Sequence, residues 1–316
     1  MTIAFSRRTF IGSLAMTTAA IAADASAAAP HRFFAARPIG LQIYTLGDAA
    51  GKDIDATFAR VAAMGYREIE LPSLLGHSPK ELRAAADRAG LAIPSIHVPL
   101  TRAGMGTALT FASAPAAIAE ALGTLGTKTA IAPLFLLPDG FRPQAGETFQ
   151  AAIGRVAGAP GGDIWKATAA LLNERAAALK ALGIASGYHN HNPEFAPVGQ
   201  TTGFAILKRE LDPALVRFEV DLGWVAAAGH DPVTFLATLH GRVGHVHVKD
   251  VAKDTRPNFA LTMNPTEVGS GTLDWHRILP AALAAGARHF YVEQEPPFAI
   301  AREEAARKSA AYLKTV

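Results

Sequence analysis

Histidine and carboxylate side chains end a series of short apolar runs in the second half of this chain. The set comprises His189, His191, Asp221, His247, Lys249, Glu293 and Glu295. A charge buried in an apolar wall is costly unless it is paired, so a cluster of such groups indicates a site. Mixed imidazole and carboxylate ligands suit Mn²⁺, Fe²⁺, Co²⁺ or Zn²⁺ better than Ca²⁺. The alternative is a hydrogen-bond network without a metal.

The elements that must position these side chains alternate along the chain. Strands are predicted at Ile39–Leu46, Arg67–Leu71, Leu91–His97, Thr127–Leu134, Ile184–His191, Leu215–Asp221, Val243–Lys249 and Arg288–Gln294. Helices are predicted near 53–64, 79–89, 112–125, 163–182, 202–210, 231–240, 273–285 and 300–314. Apolar strands that alternate with helices imply parallel βαβ units.

Eight strands and eight helices predict an α/β fold, a single-domain (β/α)8 TIM barrel over residues 39–316. A doubly wound sheet is the rival, but no glycine-rich dinucleotide loop follows any strand. Glycines at Gly65 and Gly90 stand where helices end and predict left-handed caps. In such a barrel the carboxyl ends of the strands carry the chemistry, which adds Tyr44, Glu70 and His97 to the candidates.

Residues 135–162 interrupt this alternation. They are rich in proline and glycine and show no clear period. A stretch of that length without regular structure is typical of a lid or a mobile insertion. Because it follows the fourth strand, we expect it over the carboxyl-terminal mouth of the barrel.

Composition excludes several classes of protein. The chain has 316 residues and no cysteine, which removes disulfide scaffolds, thiolate zinc sites and cysteine nucleophiles. Its formal net charge of +3, with no basic run interleaved with aromatic residues, argues against nucleic acid as a partner.

The N-terminus carries a targeting pattern. Arg7 and Arg8 precede Phe10, an uncharged stretch and small residues, which is the order of an export signal. The paired arginines resemble a twin-arginine signal, which predicts the twin-arginine translocation machinery as a partner and a periplasmic or exported location. Cleavage after Ala27 would leave residues 28–38 as a mobile segment before the barrel. A membrane-anchoring N-terminus is the alternative, but the apolar run is short for a bilayer span.

Several motifs in order resemble those of xylose isomerase-like TIM-barrel sugar isomerases and epimerases. They are Gly40–Leu46, Gly65–Leu71, Gly187-Tyr188-His189-Asn190-His191, Glu219-Val220-Asp221-Leu222-Gly223-Trp224, His245–Asp250 and Tyr291–Glu295. The resemblance runs from about Ile39 to the C-terminus and carries no information on one particular substrate.

The resemblance implies one divalent metal, Mn, Co, Fe, Zn or Mg, held by a Glu, an Asp, a His and a second Glu. Asp221, His247 and Glu293 match three of these positions, and His189 stands where the first Glu is usual. Glu194 is a competing fourth ligand. The substitution by histidine makes a symmetric two-carboxylate mechanism doubtful and favours a one-base enolisation, an elimination or a hydration.

The resemblance also implies roles in catalysis. Glu293 is expected to be a ligand and base, while His191 or Glu194 would shuttle protons. Lys249 would neutralise developing charge, or else pair with Asp250.

Four residues are expected to line or support the substrate pocket: Tyr44, Glu70, His97 and Trp224. The substrate would be a small carbohydrate, a keto-sugar or a glycoside derivative, because phosphorylated sugars are mostly cytoplasmic. The reaction would abstract a proton next to a metal-bound carbonyl. Alternatives are a non-catalytic periplasmic carbohydrate-binding barrel and, less in keeping with the charge, a barrel endonuclease. The sequence leaves open whether the chain forms a homo-oligomer.

Overall fold

The computed structural model describes Met1, residues 32–101 and residues 109–316. The predicted export signal over residues 1–27 lies outside the described residues, apart from Met1. Within the described ranges, no helix combines the length and the apolar character needed to cross a membrane.

Eight parallel strands close into a barrel, which confirms the predicted (β/α)8 fold. The strands are β1 Gly40–Gln42, β2 Glu68–Leu71, β3 Ala92–His97, β4 Thr129–Ala132, β5 Ala185–His189, β6 Val216–Asp221, β7 Val243–Val248 and β8 His289–Val292. Each strand pairs with its neighbours in chain order, and β8 pairs with β1 to close the ring. The carboxyl ends of all eight strands therefore meet at one face.

The helices follow the predicted alternation closely. They are α1 Ala49–Lys52, α2 Ile54–Met64, α3 Pro79–Ala89, α4 Pro115–Leu125, α5 Phe149–Ala157, α6 Asp163–Ala181, α7 Gly203–Glu210, α8 Leu222–Ala227, α9 Pro232–Ala237, α10 Trp275–Ala284 and α11 Arg302–Leu313. Local chemistry sets their ends: Ser78 and Glu81 form a capping box before α3. Gly65 and Gly90 end α2 and α3 with φ of 103° and 67°, which side chains with a Cβ rarely adopt.

The two faces of the strands have opposite character. Leu41, Ile69 and Val246 belong to the apolar core that the strands share with the helices. The intervening side chains face the lumen: Ser95 Oγ lies 2.9 Å from Tyr291 Oη, although β3 and β8 are not neighbours in the ring. Alternation with a period of two therefore gives the barrel an apolar outside and a polar inside.

The insertion departs from the predicted outline. Residues 135–162 contain a regular helix, α5, which begins with the side chain of Thr148 accepting a hydrogen bond from the backbone N–H of Ala151. The described part of the segment 28–38 holds a short 3₁₀ helix, Phe33–Ala36, whose Phe33 ring contacts Phe290, and the mobility of this segment stays a prediction. Apolar contacts account for this order in a stretch without sequence periodicity.

Asp250 anchors the loop that follows β7. Its carboxylate accepts hydrogen bonds from the indole Nε1 of Trp275 at 2.9 Å and from the backbone N–H groups of Gly269, Thr272 and Leu273 at 3.0 to 3.2 Å. The side chain is fully buried, so these donors replace its water. The loop is thereby fixed next to the carboxyl end of β7.

We predict that Asp250→Asn lowers the free energy of unfolding by about 2 to 4 kcal/mol, because the new amide group would face donors rather than acceptors. Urea unfolding of this variant and of Asp254→Asn, whose side chain is exposed, measures the difference. Equal stability of the two variants would contradict this role for Asp250.

Candidate functional site

A pocket of about 340 Å³ opens at the carboxyl ends of the strands. Its polar lining includes Gln42, Tyr44, His97, His189, His191, Glu293 and Glu295. Phe149 and Gln150, the first residues of α5, line it as well, together with Leu261 from the loop after β7. The insertion after β4 thus contributes to the mouth of the barrel, as its position in the sequence predicted. We call this the upper pocket.

A lysine ammonium lies among three carboxylates at the base of the upper pocket. Lys249 Nζ lies 2.7 Å from Asp221 Oδ2, 2.8 Å from Glu293 Oε2 and 2.6 Å from Glu295 Oε1. Burial alone would lower the pKa of Lys249, but the carboxylates outweigh burial and raise that pKa well above its ordinary value. These four residues are called the lysine cluster.

Gly223 provides the space for this lysine. A Cβ at position 223 would lie 2.7 Å from Lys249 Cγ and 2.9 Å from its Cβ, closer than carbon atoms approach. Asp221 Oδ1 accepts a hydrogen bond from the backbone N–H of Trp224 at 2.9 Å and so begins α8. The turn from β6 into α8 therefore places the carboxylate and admits the lysine stem beside it.

Three imidazoles meet one carboxylate deeper in the lumen. Glu219 Oε1 lies 2.9 Å from His97 Nε2, 3.0 Å from His189 Nδ1 and 3.2 Å from His247 Nε2. We call these four residues the histidine cluster. His247 joins it to the lysine cluster, because its Nδ1 lies 2.8 Å from Glu293 Oε2.

Glu70 supports the histidine cluster from below. Its carboxylate accepts hydrogen bonds from Gln42 Nε2 at 2.9 Å and Ser95 Oγ, and lies 2.7 Å from His247 Nε2. Burial lowers the pKa of His97, but Glu70 and Glu219 outweigh this and raise it to about 10. Burial raises the pKa of Glu70, yet the same imidazoles bring it well below its ordinary value. The two charges stabilise each other.

The two histidines of the β5 end remain neutral. Burial, followed by the charge of His247, holds the pKa of His189 well below its ordinary value. Burial and the ammonium of Lys249 lower the pKa of His191 to about 3, and among the described residues its Nδ1 has no hydrogen-bond partner. With so low a pKa the imidazole of His191 is a weak base, and its unpartnered nitrogen is suited to a hydrogen bond with a ligand in the pocket.

Two sets of ligand atoms fit a divalent metal by chemistry and spacing. Asp221, His247 and Glu293 offer atoms that all lie within 4.8 Å of one another, and so do the four members of the histidine cluster. Both sets combine imidazole with carboxylate, as transition metals prefer. Buried groups of this chain could therefore bind a metal ion. In the first set, Asp221 and Glu293 already share the ammonium of Lys249 as an ion-pair partner.

The predicted site residues are distributed over two levels. Tyr44, His97, His189, His191 and Glu293 line the upper pocket. The fully buried Glu70, Asp221, His247 and Lys249 stand behind them, with the nearly buried Trp224. The indole Nε1 of Trp224 lies 3.2 Å from Glu295 Oε1, and its ring lies 5.1 Å from the ammonium of Lys249.

The structure places three of the predicted site residues, His189, Glu194 and Lys249, among the following partners. His189 shares a ligand set with His97, Glu219 and His247 rather than with Asp221 and Glu293. Glu194 belongs to neither set found in the described part of the chain; its Oε1 accepts a hydrogen bond from Tyr188 Oη at 2.8 Å. Lys249 pairs with Asp221, Glu293 and Glu295, whereas Asp250 accepts hydrogen bonds from backbone and indole N–H groups.

Sequence reasoning did not single out Glu219 or Gln150. Glu219 stands two residues before Asp221 on β6, and the period of two places both on the lumen side. That spacing was a usable signal. Gln150 reaches the pocket through the fold of the insertion, for which the sequence carries no comparable signal.

Comparison with known proteins identifies a family. The model of the family described as xylose isomerase-like TIM barrel matches residues 58–316. A curated relative, the inosose dehydratase of Clostridium tetani, is 32% identical over 90 residues, which are 28% of this chain and 30% of that protein.

Solved structures with the same fold include two with names that refer to sugars. A sugar phosphate isomerase/epimerase from Parabacteroides distasonis is 24% identical with a TM-score of 0.69, over 89% of this chain and 95% of that one. The 3-keto-D-glucoside 4-epimerase of E. coli is 20% identical with a TM-score of 0.59, over 89% and 100%. At these identities the likeness establishes the fold.

We predict that Lys249→Met increases the affinity for Mn²⁺ by about tenfold or more, because the ammonium no longer competes for Asp221 and Glu293. The metal-free variant should unfold at a lower temperature, since its carboxylates lose their counter-charge. Titration calorimetry and thermal unfolding with and without Mn²⁺ measure both effects. An unchanged affinity would mean that Mn²⁺ does not bind to these carboxylates.

The buried carboxyl group of Glu194 predicts how the stability of the folded protein depends on pH. Burial raises its pKa from 4.5 to about 7, so the folded state binds a proton that the unfolded state releases above pH 4.5. Its contribution to stability is complete below pH 4.5 and is lost as pH rises to about 7, a change of about 3 kcal/mol. Glu194→Gln should remove this dependence, and the exposed Glu174→Gln should retain it. Parallel urea unfolding curves from pH 4.5 to 8 for all three proteins test the assignment.

Proposed function

Because the chain belongs to the xylose isomerase-like TIM-barrel family, we propose that it is a divalent-metal-dependent enzyme that moves a proton on a carbohydrate. The proton leaves the carbon next to a carbonyl, as in an isomerase, epimerase, lyase or hydratase. The observation that carries this proposal is the convergence of Asp221, His247 and Glu293 with the neutral His191 at one pocket.

Asp221, His247 and Glu293 are the residues that would hold the metal. When bound, a divalent metal polarises a carbonyl and makes the neighbouring C–H more acidic. The two carboxylates supply negative charge and the imidazole supplies a nitrogen donor, the mixture suited to Mn²⁺, Fe²⁺, Co²⁺ or Zn²⁺.

Glu293 is the base of the proposed reaction. Burial alone would raise its pKa, but Lys249 and His247 outweigh this and lower it, so the carboxylate is ionised and faces the pocket. It takes the proton from carbon while the electron pair moves onto the carbonyl oxygen. The neutral His191 accepts a hydrogen bond from a substrate hydroxyl, and the ammonium of Lys249 compensates the developing negative charge.

The occupant of the fourth ligand position bears on the reaction type. The family pattern has a Glu where this chain has His189, whose Nδ1 is engaged by Glu219 at 3.0 Å. A neutral imidazole does not duplicate the role of a carboxylate base. We therefore favour a one-base enolisation, elimination or hydration over a symmetric exchange between two carboxylates.

The substrate we propose is an uncharged carbohydrate, a keto-sugar or a glycoside. Polar groups of Gln42, Tyr44, Gln150 and His191 line the upper pocket beside apolar side chains, which suits a sugar. Among its described lining residues there is no lysine or arginine to bind a phosphate. The name of the E. coli structure, a 3-keto-D-glucoside 4-epimerase, supports the same class. The Arg7-Arg8 pattern supports export to the periplasm.

A non-catalytic carbohydrate-binding barrel is the second candidate. The pairing of Lys249 with Asp221 and Glu293 favours it, because a protein cation then neutralises two of the three proposed ligands. Metal content separates the two candidates.

The test is metal analysis of the purified protein followed by proton exchange. We expect about one equivalent of transition metal per chain, which Asp221→Asn and His247→Ala should lose. His189→Ala and Glu194→Ala are run alongside, and only the former is expected to weaken binding, because His189 shares a ligand set with His247 whereas Glu194 belongs to neither set. Metal retained in both Asp221→Asn and His247→Ala would refute the ligand assignment.

For the base, a panel of 3-keto-glucosides and free keto-sugars is incubated in deuterated water and followed by NMR. Glu293→Gln should slow exchange at the carbon next to the carbonyl by roughly a hundredfold or more. The conservative Glu174→Gln on the exposed face of α6 serves as control. If the reconstituted protein contained no stoichiometric metal and catalysed no exchange, the non-catalytic carbohydrate-binding barrel would be the better explanation.

A further inference from the structure

A second cavity lies at the opposite end of the barrel, where the strands begin. Its volume is about 480 Å³, larger than that of the upper pocket. Thr129 and His289, which begin β4 and β8, line it, and so does Arg217 near the start of β6. We call it the basal cavity. The proposed reaction at the carboxyl ends of the strands makes no use of it.

Three cations line the basal cavity without a carboxylate partner. Lys180 Nζ donates to the backbone oxygen of Ala214 at 3.0 Å, and Arg288 Nη1 donates to that of Ala287 at 2.9 Å. The guanidinium of Arg217 has no hydrogen bond or ion pair to any residue in the described ranges. No aspartate or glutamate is found among the described lining residues. The three side chains are exposed to solvent, so they give the rim of the cavity a net positive charge.

Two buried polar atoms in the same lining also lack partners. His245 Nε2 and Ser186 Oγ form no hydrogen bond within the part of the chain that the structure describes. The side chains are nearly inaccessible, with 7% and 3% of their surfaces exposed. An unsatisfied buried polar atom destabilises the folded state, so both atoms are suited to a partner from outside the chain.

We propose that the basal cavity binds a small, multiply charged oxyanion of the phosphate or polycarboxylate class. Guanidinium groups bind such oxygens through paired hydrogen bonds, which suits Arg217 and Arg288. Ser186 Oγ and His245 Nε2 supply the inner contacts. Apart from its histidines, the described lining of the upper pocket contains no cationic side chain. We therefore expect an anion of this kind to bind in the basal cavity.

Binding would stabilise the barrel without involving the catalytic residues. A ligand that binds only the folded state raises the free energy of unfolding with the logarithm of its concentration. The anion would join the starts of β5, β6, β7 and β8, since Ser186, Arg217, His245 and Arg288 belong to or adjoin these strands. This inference is independent of the proposed function.

The experiment measures binding of inorganic phosphate and of citrate to the full chain by titration calorimetry at low ionic strength. We expect binding of at least one anion, a higher unfolding temperature in its presence, and loss of affinity on addition of sodium chloride. Comparing the affinity for phosphate with that for citrate shows which of the two classes of oxyanion the cavity binds. Absence of binding of both at millimolar concentration would overturn the proposal.

Variants locate the site. The double variant Arg217→Gln/Arg288→Gln should lower the affinity for the anion by about tenfold or more, because each substitution removes a charged hydrogen bond. Arg209→Gln with Arg307→Gln removes the same charge from exposed positions elsewhere and should change affinity by less than about twofold. Ser186→Ala tests direct contact without a change of charge and should also weaken binding. Equal loss in the two double variants, or no loss in the first, would refute a basal site.

Discussion

The ammonium of Lys249, buried among three carboxylates, is the interaction on which the rest of the site depends. Charges attract strongly away from water, and removing one partner leaves the others uncompensated. One lysine balances only part of Asp221, Glu293 and Glu295, and the raised pKa of His247 supplies the next positive charge. Three carboxylates against two cations leave a net negative charge, and this is why a barrel with such an interior is suited to an additional cation.

The register of the barrel strands fixes the relative positions of these charged side chains. Asp221 pairs with His247 across β6 and β7, and His247 pairs with Tyr291 across β7 and β8. Glu293 follows Tyr291 by two residues and therefore points into the same lumen. A closed ring allows little relative movement of these strands. The side chains of the lysine and histidine clusters are consequently held by the barrel wall rather than by mobile loops.

Much of this architecture follows from the sequence, and the remainder depends on contacts across the lumen. The alternation of apolar strands with glycine-capped helices predicts the barrel, and strand ends identify Asp221 and His247. The pairing of Lys249 was harder to foresee, because its neighbour Asp250 is engaged by Trp275 and the following loop instead. Helix α5 was missed because packing rather than periodicity stabilises it, and the partners of His189 lie on strands distant in sequence.

Gly223 has a consequence for the evolution of the chain. A Cβ at position 223 would meet not only the stem of Lys249 but also its backbone oxygen, at 2.9 Å, so glycine is needed there whichever side chain stands at position 249. A change from glycine would displace the lysine and leave Asp221 without its partner. Descendants of this chain should therefore retain the glycine even where the lysine and its charge have been replaced.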